Sequence, residues 1–389
     1  MIKKITVKNW KSFEKLEYKF QSLNILLGNN SSGKSNFLDL LEFISKVAKG
    51  VSNEELNKIR GGIDFFKRIN SNDLEIAVFL EKNKKILINY NLNVFEYFLE
   101  EDGIEILGSR RRVLNQMYSK EELFQKLSTL KFDFEKPSSQ NIEKLDAEEI
   151  IKKIKMTQEK IITFEACIKN ILVLDPTPSL IRGTTKHENR ELLKDCSNLI
   201  SFVAGMEEKE KINIEDKLAG YLKKLTFSEI QSVNFKFLGE NKEFTQLYIE
   251  ENGMKLHSDI ISDGMLRFIS IIVALMTQKS GGILAIEEID NGIAPYQLKM
   301  LMDIVDEISA ERQFDVVFTT HNHLLINYLG EEYMDFVFYV SKKDGKSNIK
   351  RIKDYPQYGK ISSYGKLGDL VDNEEVINIL NSQGDIDEA

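Results

Sequence analysis

The stretch Gly28-Asn29-Asn30-Ser31-Ser32-Gly33-Lys34-Ser35 fits the pattern G-x-x-x-x-G-K-[S/T] at every position. Leu23-Asn24-Ile25-Leu26-Leu27 precedes it and reads as a short buried strand, while the run from Asn36 to Ile44 reads as an amphipathic helix. A glycine loop between a strand and a helix is the context of a phosphate-binding loop. Gly28 and Gly33 let the backbone turn so that successive N–H groups from Asn29 to Asn36 face phosphate oxygens, and the helix N-terminus adds partial positive charge. Lys34 then reaches the β- and γ-phosphates, and the Ser35 hydroxyl enters a magnesium shell.

The rest of the chemistry is expected in the C-terminal half. Gly282-Ile283-Leu284-Ala285-Ile286-Glu287-Glu288 is an apolar strand ending in two carboxylates. Beside a phosphate loop, Glu287 is expected to hold magnesium, and Glu288 to polarise the attacking water as general base. A second apolar strand, Phe314 to Thr320, ends in His321, whose imidazole is placed to hydrogen-bond a γ-phosphate. His323 reads as the plainer of the two histidines. Ser262-Asp263-Gly264 stands just before a strongly apolar helix and forms either a second anion-binding surface or an ordinary helix cap.

Between these motifs the organisation changes. Strands are expected at Lys3 to Val7 and Phe13 to Phe20, then an antiparallel hairpin at Leu74 to Leu80 and Lys85 to Asn93, with a further strand near Gly103 to Leu107. Residues 114–170 are Lys- and Glu-rich with helical spacing and read as a helical insertion. Two more strands are expected at Ile230 to Leu238 and Phe244 to Glu251. The division that follows is an N-terminal lobe 1–113, the insertion 114–170, a C-terminal lobe 171–340 and a tail 341–389.

Composition excludes several classes. The net charge of -8 argues against a surface given over wholly to nucleic acid, although Arg110-Arg111-Arg112 is a local candidate for phosphate contacts. Cys167 and Cys196 lack metal-type spacing and are read as reduced and structural. No apolar run has the length of a membrane helix and the N-terminus opens directly on a strand pattern, so a cytoplasmic protein without membrane contact is expected.

The order of phosphate loop, S-D-G-x-x-R, E-E strand end and T-T-H-N resembles the RecF/SMC-type branch of ABC-class ATPases, among the AAA family ATPases and related to the ATPase half of overcoming-lysogenization-defect nucleases. Glu288 to Pro295 is similar to that family's E-P-E-N-G-L-H-P, with Ile289 and Ala294 in place of Pro and His. Leu174-Asp175-Pro176 through Asp195-Cys196-Ser197-Asn198-Leu199 is similar to its D-G-S-N-L segment, with Cys196 in place of Gly. No glutamine lies between Ser35 and Gln116, so the family's Q-loop contact has no counterpart assigned.

The resemblance implies an α/β fold: a P-loop ABC-type ATPase head with mixed sheet, antiparallel β subdomain and helical insertion. It also implies ATP and Mg2+ as ligands and a head-to-tail homodimer, with each ATP held between one copy's phosphate loop and Ser262-Asp263-Gly264 of the other. In that scheme Glu288 drives hydrolysis and His321 reports the γ-phosphate. The tail beyond His321, about 68 residues, is short for an added nuclease domain, given the 50 to 250 residues domains typically need. The expected role is therefore the ATPase sensor of an antiphage defence system, working with an effector protein encoded nearby. The alternative is a RecF-like repair ATPase that binds DNA; the third class, a transporter ATPase, is disfavoured by the missing glutamine.

Overall fold

A computed structural model describes residues 1–66, 73–80, 84–91, 94–101, 104–112, 166–183, 191–226, 229–241, 243–356 and 358. Its centre is a six-stranded sheet in the order β15-β14-β3-β13-β12-β8. These strands are β3 (Leu23–Leu27), β8 (Ile171–Leu174), β12 (Ile283–Ile286), β13 (Asp315–Thr320), β14 (Val337–Lys343) and β15 (Lys346–Arg351). Neighbours from β14 to β8 run parallel, and β15 closes the edge antiparallel to β14. Strands covered on both faces must be apolar throughout. Accordingly every residue of β3, β12 and β13 is buried.

Alternation divides these strands between two cores. Leu26, Ile283, Ala285 and Val317 point into one, shared with α1 (Lys34–Lys49) and a second sheet. Ile25, Leu27, Leu284, Ile286, Val316 and Phe318 point into the other. That second core is shared with α4 (Leu199–Ala204), α5 (Glu208–Thr226), α6 (Asp263–Thr277) and α7 (Pro295–Arg312). Both cores use the period-2 geometry of a strand, so shifting one strand by a residue would exchange its two faces.

The second sheet is antiparallel, in the order β2-β1-β4-β5-β6-β7. It is built from β1 (Ile2–Trp10), β2 (Phe13–Lys19), β4 (Asp73–Leu80), β5 (Lys84–Asn91), β6 (Val94–Glu101) and β7 (Ile104–Arg112). The N-terminal strands and the hairpin that follows the loop helix thus form one sheet. The expected third strand of that group becomes two, β6 and β7. A third sheet joins β9 (Ile230–Leu238), β10 (Phe244–Glu251) and β11 (Met254–His257). The bounds of β9 and β10 are those read from sequence. Short helices α2 (Asn53–Asn57), α3 (Pro178–Ile181) and α8 (Leu324–Leu329) complete the described fold.

The tail expected from residue 341 begins inside β14, because the β14–β15 hairpin carries the central sheet on to Arg351. The expected helical insertion lies outside the described residues apart from 166–170. Arg110, Arg111 and Arg112 end β7, at the edge of the antiparallel sheet. Cys167 and Cys196 are both free thiols, and no metal-binding cluster of His, Cys, Asp and Glu is present among the described residues. No helix among them is long and apolar enough to cross a membrane.

Candidate functional site

Parallel strands bring their carboxyl ends to one edge of the central sheet, and that edge collects the chemistry. From β3 the chain enters the glycine loop, where Ser31 takes φ 64° and Gly33 φ 120°. A Cβ on Gly28 would strike the Val340 carbonyl oxygen, and one on Gly33 would strike Ser347, so both positions are shaped by the C-terminal hairpin beneath them. Ser347 Oγ donates to the Ser32 carbonyl (2.6 Å) and meets Ser12 Oγ (2.8 Å), fixing the underside of the loop. Asn30 and Ser31 face solvent, and Ser32 is buried. Asn36 uses its side-chain amide to donate to Ser12 Oγ at 2.7 Å, so its described role is to tie the helix to the first hairpin.

Helix α1 begins at Gly33 with no side-chain cap and no acid in its first turn. Its first turn thus carries no acid of its own to neutralise the positive helix end, which favours an anion there. Helix α6 differs: Ser262 is its N-cap, accepting from Met265 N–H at 3.3 Å, and Asp263 lies in its first turn. The plain capping role of Ser262 is thus present. Gly264 packs on the Gly292 carbonyl, where a Cβ would collide, and Arg182 pairs with Asp263 at 2.6 Å.

Lys34 is buried against the loop, its Nζ donating to the carbonyls of Gly28 (2.6 Å) and Asn29 (2.9 Å). Burial pushes its pKa down, against the pull of Glu288, Asp290 and Glu287. Ser35 Oγ donates to Glu287 Oε1 at 2.5 Å. The other carboxylate oxygen of Glu287 accepts from Arg60 Nη2 at 2.8 Å. Burial alone would raise the Glu287 pKa, but the Arg60 and Ser35 hydrogen bonds outweigh it and hold the carboxyl below its usual range. A hydroxyl and a carboxylate this close form the oxygen donor pair a hard cation such as Mg2+ takes, so the residues fit that group.

Glu288 turns the other way. Its backbone is left-handed at φ 48°, and its Oε1 lies 3.7 Å from Nδ1 of His321. His323 proves less plain than its sequence suggested: buried, it places Nε2 3.1 Å from Asn29 Oδ1 in the loop. The structure therefore brings together the loop 28–36, Glu287, Glu288 and His321. The contacts of Ser262, Asp263 and Gly264 among the described residues run to Met265, Arg182 and Gly292.

Two neighbours of Glu287 were given no site role by sequence reasoning. Arg60 sits just before Gly61-Gly62, both with positive φ, and that glycine pair after the loop helix was the available signal. Asp175 follows β8 directly beside Glu287, whose N–H donates to the Leu174 carbonyl at 2.8 Å. Burial and the Glu287 charge push the Asp175 pKa up.

Residues 1–175 match a model described as "AAA ATPase domain", and residues 205–327 one described as "AAA domain, putative AbiEii toxin, Type IV TA system". Two separate stretches of the chain, 1–175 and 205–327, are thus each similar to AAA-type ATPase domains. Its fold is similar to that of the Smc head solved bound to the C-winged helix domain of ScpA. The TM-score is 0.55 at 16% identity, over 90% of this chain and 96% of that one. An "ATP/GTP phosphatase" of Helicobacter pylori (strain ATCC 700392 / 26695) is 22% identical over 363 residues, spanning 85% of this chain and 88% of the relative. The chain thus has an α/β fold like that of the Smc head, with a mixed central sheet and two antiparallel sheets.

Proposed function

We propose that this protein is an ATPase that binds ATP with Mg2+ in the cradle from Gly28 to Asn36 and hydrolyses it between two copies of the chain. The observation that carries the reading is the divergence of Glu287 and Glu288. One carboxylate is hydrogen-bonded to Ser35 of the loop, while its neighbour faces His321. The metal-side and water-side functions are thereby separated on one strand end. Lys34 neutralises phosphate charge, and Ser35 with Glu287 would hold the cation, which when bound would supply positive charge against the phosphates. Glu288 accepts a proton from water as the water oxygen bonds to the γ-phosphorus and the bond to the bridging oxygen breaks, giving ADP and phosphate. His321 donates to the γ-phosphate and registers its departure.

The second copy supplies Ser262-Asp263-Gly264. That N-cap retains hydroxyl donor capacity beyond the bond it accepts from Met265. At the level of the cell, the protein is the ATPase sensor of an antiphage defence system acting with an effector encoded nearby; the description of the 205–327 match as a toxin of a type IV system supports this. The RecF-like alternative rests on Arg110 to Arg112, whose side chains lie outside the described ones. Glu288→Gln with ATP is expected to accumulate as a dimer on size-exclusion chromatography and to lose turnover. A wild-type rate per molecule that stays constant on dilution and survives Ser262→Ala would end the two-copy reading.

A further inference from the structure

Glu288 is not glycine, yet it adopts φ 48° at the end of β12. For an L-residue this backbone is strained and persists where the surroundings over-determine it. Here both peptide groups flanking the residue are held. Its N–H donates to Thr319 Oγ1 at 2.9 Å, and the next N–H, of Ile289, donates to the Thr319 carbonyl at 3.1 Å. Its carbonyl accepts from Arg267 Nη2 at 3.2 Å and from Asn291 N–H at 3.0 Å.

Thr319 and Arg267 come from different directions. Thr319 is buried in β13, with its main chain locked into register against Leu26 of β3. Arg267 is buried in the first turns of α6, five residues after Ser262. Its guanidinium also donates to the carbonyls of Glu287 (3.3 Å) and Pro176 (2.7 Å). A buried guanidinium spread over three main-chain carbonyls, none of them a carboxylate, does the work of a strut and not of an ion-pair partner. His321, two residues beyond Thr319, then meets the carboxylate that the strained backbone aims.

We infer that Thr319 and Arg267 are positioning residues for Glu288: together they hold its backbone left-handed and so direct its carboxylate toward His321 and away from the Ser35 side of the site. This rests on the reading of Glu288 as general base. Without the clamp, Glu288 relaxes to an ordinary backbone and its side chain swings from its place. Neither residue touches the phosphate loop in the described contacts, so nucleotide affinity is carried elsewhere.

The test uses the full-length chain, single-turnover hydrolysis of MgATP and the Kd of a fluorescent ATP analogue. Thr319→Val keeps the shape and removes the acceptor; hydrolysis is expected to slow about 100-fold, the scale of a misplaced catalytic group, with Kd within about twofold. Thr319→Ser restores the hydroxyl and is expected to recover to within about threefold, and Arg267→Lys to fall between. Thr319→Ala, which cannot overpack, gives the same comparison should the valine variant not fold. A valine or alanine variant at the wild-type rate, one whose rate falls only in step with affinity, or a serine variant as slow as valine would each overturn the clamp. Glu288→Gln run in parallel separates the failures. If it is inactive while Thr319→Val is normal, the clamp alone is wrong; if it is itself fully active, the general-base reading falls and takes the clamp with it.

Discussion

Arg60 and Glu287, 227 positions apart in the chain, are joined by a hydrogen bond of 2.8 Å between Nη2 and Oε2. Together with Ser35 on Oε1, it occupies both oxygens of the carboxylate proposed to face Mg2+. A guanidinium and a divalent cation compete for the same oxygen and repel each other. Arg60→Ala is therefore expected to lower the Mg2+ concentration that half-saturates turnover by about fivefold, the scale of one ion pair of ~1 kcal/mol whose arginine is half exposed. A titration of Mg2+ at saturating ATP checks this. An unchanged or higher midpoint would show that Arg60 acts on something other than the carboxylate.

The Arg60 loop is itself anchored by Lys11. Lys11 Nζ donates to the Arg60 carbonyl (2.6 Å) and pairs with Asp39 (2.7 Å), whose side chain is 0% exposed. Lys194 stands further from Asp39, at 3.8 Å. Breaking a buried pair by deleting one partner costs about 3–5 kcal/mol, because the remaining charge is uncompensated. Lys11→Met should thus destabilise strongly in denaturant unfolding, while Lys11→Met with Asp39→Leu recovers most of the loss. If the double variant is no better than the single, the cost lies in the loop and not in the buried carboxylate.

Gly33 allows a similar separation of causes. Alanine there meets a backbone at φ 120° and the Ser347 side chain at once. A backbone term of about 1–2 kcal/mol adds to an overpacking term of about 1–3 kcal/mol. Only the second is relieved by Ser347→Gly. Measured against Ser347→Gly alone, so that the lost hydrogen bonds to Ser32 and Ser12 cancel, Gly33→Ala should cost less thermal stability than it does in the wild type, and that remaining cost measures the backbone.

Much of this was legible in the sequence, for a physical reason. The strand Leu23–Leu27 and helix Lys34–Lys49 stand out because the loop between them has few other uses, and Gly50, left-handed at φ 70°, ends the helix where its glycine suggested. The carboxylates and His321 were found because parallel strands end together. The hairpins β10–β11 and β14–β15 were missed although each is written in its turn. Asn252-Gly253 and Asp344-Gly345 both have positive φ at the two central residues, the type I′ geometry those dipeptides favour. Arg60 had only the glycine pair that follows it, and Asp175 and Ser347 had no such local mark. Arg60 and Ser347 reach the site through chain segments that fold against it, and Asp175 through the pairing of β8 with β12, which no local pattern announces.

Cys196 stands where the resemblance expects glycine, and the structure shows why glycine suits: φ is 58°. Its side chain is buried, and burial pushes the thiol up to about 12, partly offset by a hydrogen bond with Ser270. The thiolate population at pH 8 is then negligible. Iodoacetamide should leave Cys196 unmodified in the native protein and react only after denaturation, as read by intact mass and peptide mapping. Cys196→Gly trades the relief of about 1 kcal/mol of backbone cost against lost packing, so its stability should stay within about 1 kcal/mol of wild type.

Asp175 and Glu287 end adjacent parallel strands, yet their pKa values move in opposite directions, and stability should follow with opposite signs. Glu287 is held below its usual range, since its hydrogen bonds from Arg60 and Ser35 outweigh burial. It therefore contributes stability above the unfolded value of about 4.3, and that contribution is lost as pH falls through the folded one. Asp175 is raised by burial and by the Glu287 charge; its ionised form is penalised in the folded state, and the penalty disappears as pH falls through its folded value. Asp175→Asn should accordingly raise the Tm at pH 7, where the penalty is present, and leave it unchanged at a pH low enough to protonate both carboxyls. Glu287→Gln should lower the Tm at pH 7 and also converge with wild type in acid. Thermal unfolding across pH 3 to 7 without nucleotide or Mg2+ checks both, and a loss of stability for Asp175→Asn at pH 7 would mean that Asp175 is engaged by a partner stronger than the repulsion from Glu287.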